Sequence, residues 1–449
     1  MSQQIVASES EDCNEPDLFT PEFKRLKAKK PFPDLSEVTN LDRLPLTSLC
    51  ISSPANKAIS QYPVRSCGLK PVAGLKPCEE WKCFQFLQFP GFVVIRNPFL
   101  DGYQRYWVYQ CLQSFPSDRD NVTNMSVLGD NSCRYLWQEF VQKESCTLDK
   151  QDPLRKLRWT TLGYHYNWTT KEYSEDSKAP FPPDVNCLSQ YLAACLGYVP
   201  YQAEAAIVNY YHLDSTLAGH TDHSEIDQSA PLFSISFGQT AIFQLGGKTK
   251  SVAPISIFLE SGDICVMSGE CRLAYHAVPK ILTPSPEKTI PSCFQIPDTT
   301  HHAICDCTIH NTAGCNLYTD SVMTDSHSTG VIPSCGNVDE IRITTGSSSS
   351  DSSLENEHSP QKHCSDSTAP HVGTEITTAT LNNNSLSNME CLQYFQGYNS
   401  NIDKVNFRIE EVVTNLDFRP FEVYLRESRI NLNVRQVLPP GWTNLQNIV

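Results

Sequence analysis

Apolar residues enter this chain in short runs at even spacing, and the spacing predicts its elements. Phe92, Val93, Val94 and Ile95 form an unbroken apolar run that predicts a buried strand. Within 102–114, Tyr106, Val108, Tyr109 and Leu112 recur at helical spacing, and 183–195 predicts a second amphipathic helix. Short β-like runs follow at 206–211, 232–237, 241–245, 255–259, 263–267 and 271–276. Turn signals separate them, among them Gly238-Gln239, Gly246-Gly247 and Ser261-Gly262-Asp263. Many short strands between turns predict a mainly β unit with flanking helices, built as a barrel or a sandwich. The pattern stops near 285 and resumes near 404. There 421–427 predicts a short helix, and 430–437 alternates like a half-buried strand. A late strand after a long excursion predicts an insertion between two strands of one barrel.

Composition divides the chain the same way. Residues 1–79 are polar and proline-punctuated, an N-terminal tail or extension with a basic run, Lys24-Arg25-Leu26-Lys27-Ala28-Lys29-Lys30. Residues 80–285 and 404–449 are the two parts of the core. Residues 286–403 are rich in Ser, Thr and Asn and predict a disordered acidic insertion, because such a composition buries too little apolar surface to offset chain entropy. The formal charge of the whole chain is −15. About 14 acids and 3 bases lie in 286–403, so the insertion carries roughly −11 of it. The charge therefore does not exclude a local phosphate-binding surface on the core. Nineteen cysteines include no C-x-x-C pair. The first residues are acidic without an apolar run, and no stretch is long and apolar enough for a membrane span. An intracellular, reducing compartment is the expectation: nucleus, cytoplasm or mitochondrion. Asn121-Val122-Thr123 and Asn167-Trp168-Thr169 then match the glycosylation pattern by chance. His301, His302, Cys305, Cys307, His310 and Cys315 fit no structural zinc spacing.

The chemistry is in three residues. His220 and Asp222 are two apart, so on a strand both point to one side. His276 follows in Tyr275-His276-Ala277-Val278-Pro279. Two imidazoles and a carboxylate are the protein ligands of a non-haem Fe(II) centre with open positions for a co-substrate and O₂. An H-x-D alone is weak evidence. It gains weight from Arg429, Asn431, Asn433 and Arg435, which alternation places on one face of the last strand. That face would be costly to bury without partners. A planar guanidinium suits an anionic co-substrate, because it binds a carboxylate through two hydrogen bonds.

H-x-D…H followed by R-x-N-x-x-x-R resembles the AlkB family of Fe(II)/2-oxoglutarate dioxygenases. The likeness extends to Asn209-Tyr210-Tyr211, to the segment from Arg158-Trp159-Thr160 through Trp168, to Leu213-Asp214-Ser215-Thr216-Leu217, to Ser234-Ile235-Ser236-Phe237-Gly238-Gln239 and to Asn433-Val434-Arg435-Gln436-Val437. Together these are most similar to the AlkB homologue 1 branch, over roughly 80–285 and 404–440. The resemblance implies a double-stranded β-helix, or jelly-roll. It implies that His220, Asp222 and His276 hold Fe(II). Arg429 would pair with the distal carboxylate of 2-oxoglutarate, Asn209 and Tyr211 would hydrogen-bond the same co-substrate, and Asn431 would support it. Arg435 would lie near the proximal carboxylate and Asp222. Asn433 stands where the family commonly has Thr, and Ser224 where some bacterial members carry an acid that reads the base.

The implied activity is 2-oxoglutarate- and O₂-dependent oxidation of methylated bases in nucleic acid, tRNA ahead of DNA, by a monomer. Candidate substrate contacts are Arg158, Tyr164, Tyr166, Trp168 and Ser224, with Lys248, Lys250 and Lys280 as phosphate contacts. The three aromatics alternate and are expected to point the same way, as a base-holding wall or as ordinary core. Two alternatives stand beside this reading: a 2-oxoglutarate-dependent protein demethylase or hydroxylase, and a non-catalytic scaffold with a structural barrel.

Overall fold

The computed structural model describes residues 15–44, 51–52, 58–143, 147–296 and 388–447. Its strands are β1 (Ile51–Ser52), β2 (Ala58–Gln61), β3 (Lys82–Phe86), β4 (Phe92–Arg96), β5 (Val122–Thr123), β6 (Trp159–Gly163), β7 (Ala205–His212), β8 (Leu217–His220), β9 (Leu232–Gly238), β10 (Ala241–Leu245), β11 (Ile255–Leu259), β12 (Ile264–Met267), β13 (His276–Ile281) and β14 (Ser428–Arg435). They form a ten-stranded sheet, β1-β2-β3-β4-β12-β9-β14-β7-β6-β5, and a four-stranded sheet, β11-β10-β13-β8. Every named pair is antiparallel. The two sheets make the jelly-roll core.

Strand alternation builds two cores at once. On β4, Phe92 and Val94 face the small sheet and pack with Phe243, Leu245 and Ile257. The Phe92 and Phe243 rings stack at 5.9 Å. Val93 and Ile95 face the other way, into a cluster with Leu188 and Leu192 of the helix Pro183–Leu196. The strand β14 lies between β9 and β7. Its Ile430, Leu432 and Val434 join the helix-side core. Arg429, Asn431, Asn433 and Arg435 therefore project toward the other sheet. The expected half-buried strand is buried on both faces, and its second face is the wall of a cavity.

Four expectations are corrected. The run 271–276 is not a strand: Gly269–Leu273 is a 3₁₀ turn, and the strand begins at His276. Pro279 disguised β13 because proline cannot donate to a ladder; bulges in the pairing around 277–279 absorb it. The insertion is also narrower than 286–403. Phe294 is fully buried and stacks on Phe418, and the helix Asn388–Asn415 starts well before 404. Tyr398 and Ile402 of that helix are buried, and the Tyr398 hydroxyl donates to Lys70 O at 2.6 Å. The His301–Cys315 cluster lies outside the described residues.

The N-terminal stretch is no loose tail either. Helix Phe19–Lys27 buries Phe19, Phe23 and Leu26 against the outer face of the small sheet, the two phenylalanines near Ala277 and Leu26 near Ile242. Gly219 and Gly246 make room for Phe19: a Cβ at either would come within 2.6 or 2.7 Å of its ring. Finally, Tyr164, Tyr166 and Trp168 do not share a strand, since β6 stops at Gly163.

Candidate metal and co-substrate site

The small sheet brings the two histidines together. His220 ends β8, His276 begins β13, and they are directly paired across the ladder. Their rings lie 4.2 Å apart. Asp222 follows two residues after His220. His220 Nε2 is 3.9 Å from Asp222 Oδ1, and His276 Nε2 is 3.7 Å from Asp222 Oδ2. One donor atom from each residue lies within 4.8 Å of the others, the one such cluster among the described residues.

The tautomers are set by the backbone. His220 Nδ1 meets Ala218 O at 3.0 Å and His276 Nδ1 meets Ala274 O at 3.1 Å. A proton on each Nδ1 leaves both Nε2 lone pairs aimed at the carboxylate. Burial, then the neighbouring His220, pushes His276 down to about 4, so it stays neutral near pH 7. Burial opposes ionisation of Asp222, but Arg435, then His276, His220 and Arg272, hold its carboxyl well below the usual range. Two imidazoles and a fixed carboxylate are a donor set that fits Fe(II).

These residues open into a cavity of about 420 Å³. Asn209, Tyr211, Arg429, Asn431, Asn433 and Arg435 line it, because β7 and β14 are in register: Tyr211 faces Arg429 and Asn209 faces Asn431. Arg429 is 2% exposed. It donates to Gln239 O at 2.9 Å, Leu259 O at 3.0 Å and Ser236 Oγ at 2.5 Å. All three acceptors are neutral, and burial pushes the guanidinium down to about 10. A buried cation held only by neutral groups at a cavity wall fits a carboxylate ligand. Asn431 Nδ2 donates to Ser234 Oγ at 2.8 Å.

Arg435 differs from Arg429 although both alternate on one strand. Its Nη2 lies 2.9 Å from Asp222 Oδ1 and its Nη1 lies 3.1 Å from Glu225 Oε1. Asn433 Nδ2 reaches Asp222 Oδ2 at 3.5 Å. Glu225, Arg272 and Tyr173 were not selected from the sequence. The only available signal was one arginine in the otherwise uncharged run 271–278 and an acid three residues after Asp222.

Candidate substrate contacts separate into two groups. Tyr166, Trp168 and Ser224 line the cavity, and so does Lys171, which sequence reasoning missed. The Tyr166 and Trp168 rings meet edge to face at 4.6 Å. Trp168 Nε1 is buried with no hydrogen-bond partner. Tyr164 and Arg158 are not in the wall. Tyr164 is 1% exposed, packs with Val437 and Leu438 and donates to Glu175. Arg158 is half-buried, and its positive charge disfavours protonation of His212. Lys280 is engaged elsewhere: its Nζ donates to Ala28 O at 2.7 Å and lies over the Phe32 ring. Lys250 lies over Tyr275.

The sequence profile of the 2OG-Fe(II) oxygenase superfamily matches residues 91–305. Among curated proteins, the human nucleic acid dioxygenase ALKBH1 is 48% identical over 231 residues, covering 50% of this chain and 59% of the relative. The tRNA demethylase abh1 of Schizosaccharomyces pombe is 31% identical over 297 residues, covering 62% of this chain and 88% of the relative. The DNA N(6)-methyladenine demethylase ALKBH1A of Arabidopsis thaliana is 32% identical over 222 residues, covering 43% and 64%. The chain thus spans under two thirds of the human and plant relatives' length and most of the yeast one's.

Proposed function

The chain belongs to the 2OG-Fe(II) oxygenase superfamily, in its AlkB family and nearest the AlkB homologue 1 branch, and from that membership we propose that it oxidises methyl groups on nucleic-acid bases, tRNA ahead of DNA. The observation that carries the reading is one cavity with two unlike ends. His220, Asp222 and His276 converge at one, and the buried Arg429 faces the other. Membership implies Fe(II), 2-oxoglutarate and O₂. When bound, that set supplies oxidation of a C–H bond coupled to decarboxylation of the keto acid.

The residues here do the rest. His220, Asp222 and His276 would hold the metal, with lone pairs already turned inward. Arg429 would take the distal carboxylate through two hydrogen bonds, helped by Tyr211 across the ladder and by Asn209 and Asn431 beside it. Tyr166 and Trp168 offer ring faces and edges on the opposite wall, and a base must leave its stack to reach them. Asp222 keeps its charge because Arg435 pairs with it. Burial of Leu232, Phe243, Leu259 and Met267, all in the cavity wall, keeps water from the reacting carbon.

The relatives named above act on tRNA and on DNA, and the tRNA demethylase is the one this chain covers more fully, 88% against 64%, which supports a nucleic-acid substrate with tRNA first. No helix among the described residues is long and apolar enough to cross a membrane. The test is mass spectrometry of modified nucleosides in total tRNA and DNA after incubation with the protein, Fe(II) and 2-oxoglutarate. Loss or oxidation of a methylated base, with succinate formed in step, is the expected result. Succinate release that depends on a methylated peptide and not on RNA or DNA would overturn it.

A further inference from the structure

We infer that Glu225 is a positioning residue for the metal-binding carboxylate: it supplies the negative charge that offsets Arg435 and Arg272 and leaves Asp222 available to the metal. The inference rests on the metal site proposed above. Four charges run in a row: Asp222, Arg435, Glu225, Arg272. Arg435 bridges the two carboxylates at 2.9 and 3.1 Å. Arg272 Nη2 then lies 2.8 Å from Glu225 Oε2. Its Nη1 donates to the backbone oxygen of Asp222 at 2.7 Å, and its Nε donates to Ala230 O at 3.2 Å. Tyr173 adds a hydroxyl donor to Glu225 Oε1 at 3.0 Å.

The Glu225 side chain is fully buried and absent from the cavity wall, so it touches neither co-substrate nor base. Its partners say what it does. Two buried guanidiniums lie next to a carboxylate that must also bind a dication. With Glu225 in place, the four groups sum to zero. Without it, the charge of both guanidiniums falls on Asp222 alone, and Arg435, 2.9 Å from Oδ1, competes with the metal for that oxygen.

The test uses the full chain and Mn(II) as the metal probe. The dissociation constants for Mn(II), and for 2-oxoglutarate at saturating Mn(II), are measured by calorimetry. E225Q keeps the shape and removes the charge. It is expected to weaken Mn(II) about 10- to 100-fold, the range for outer groups that orient a ligand. Its 2-oxoglutarate affinity at saturating Mn(II) should move less than about threefold, because Arg429 and its acceptors are untouched. The double variant E225Q/R272Q removes one charge of each sign and should bind Mn(II) more tightly than E225Q. A merely structural role predicts the reverse, with the losses adding. The inference falls if E225Q binds Mn(II) like the wild type, or if the double variant binds more weakly than E225Q. Should E225Q not fold, R272Q decides: Mn(II) binding no weaker than wild type supports the charge argument, and a tenfold loss overturns it. Failure of the wild type itself to bind Mn(II) would sink the proposed function instead.

Discussion

Replacing Arg429 separates the two ends of the cavity. Arg429→Met removes the charge and keeps much of the side chain's length. Arg429 is 2% exposed and its guanidinium rests on three neutral acceptors, so a bound carboxylate would be its one anionic partner. Hydrogen bonds to charged groups contribute about 1.5–3 kcal/mol each. Two of them, counted conservatively because they are not additive, give about 3–4 kcal/mol. At 1.4 kcal/mol per decade that is roughly a 10²- to 10³-fold rise in the 2-oxoglutarate requirement. The iron requirement should barely move, because the hydrogen bonds of Arg429 go to Gln239, Leu259 and Ser236 and none goes to a ligand of the metal cluster. Stability should change little. Losing a buried, unpaired cation is favourable, and leaving Gln239 O and Leu259 O without a donor is not. The assay is succinate release titrated first with 2-oxoglutarate at saturating Fe(II), then with Fe(II) at saturating 2-oxoglutarate. Equal rises in both requirements would refute the assignment, since they would place Arg429 at the metal rather than at the far carboxylate.

Three further outcomes follow from particular contacts. Trp168→Ala should raise the apparent KM for a methylated oligonucleotide roughly tenfold or more, in line with about 1–3 kcal/mol per stacked base, while Tyr164→Phe should leave it within about twofold; KM values measured side by side check this, and similar losses in both would restore the shared wall. Phe19→Ala should cost about 3–5 kcal/mol, because the ring is 1% exposed and fills the space over Gly219 and Gly246; a denaturant midpoint unchanged from wild type would mean that the N-terminal helix is not docked. His212 is pushed down by burial, then by Arg155 and Arg158, to about 3 from the ordinary 6.5. Its folded value lies below its unfolded one, so the stability it contributes is complete above about pH 6.5 and is lost as pH falls toward 3. Denaturation at pH 7 and pH 5 should show the wild type losing about 2 kcal/mol more than His212→Gln, and identical losses would contradict a buried neutral imidazole.

The two arginines of β14 show how far a sequence carries and where it stops. Alternation placed Arg429, Asn431, Asn433 and Arg435 on one face, and all four do line one cavity. His220 and Asp222 also come together, but β8 ends at His220, so the segment after the strand, and not alternation, places Asp222. Periodicity is a local property of the backbone, so a run of eight residues is enough to read it. What separates Arg429 from Arg435 is not local. Arg435 meets Glu225, 210 positions earlier, and Glu225 meets Arg272. Arg429 meets only neutral oxygens. No spacing along one strand encodes that difference, because it depends on which loops from the other sheet close over each end. Tyr164 fails for a related reason. The alternation of Tyr164, Tyr166 and Trp168 continues past Gly163, where the ladder ends, and once the strand is lost the period of two no longer fixes direction. The N-terminal helix was obscured by composition: a polar, basic stretch hid Phe19, Phe23 and Leu26, which are spaced for one helical face. Sequence patterns thus located the polar residues of the cavity, and long-range pairing decided that Arg435 meets Asp222 while Arg429 meets only neutral oxygens.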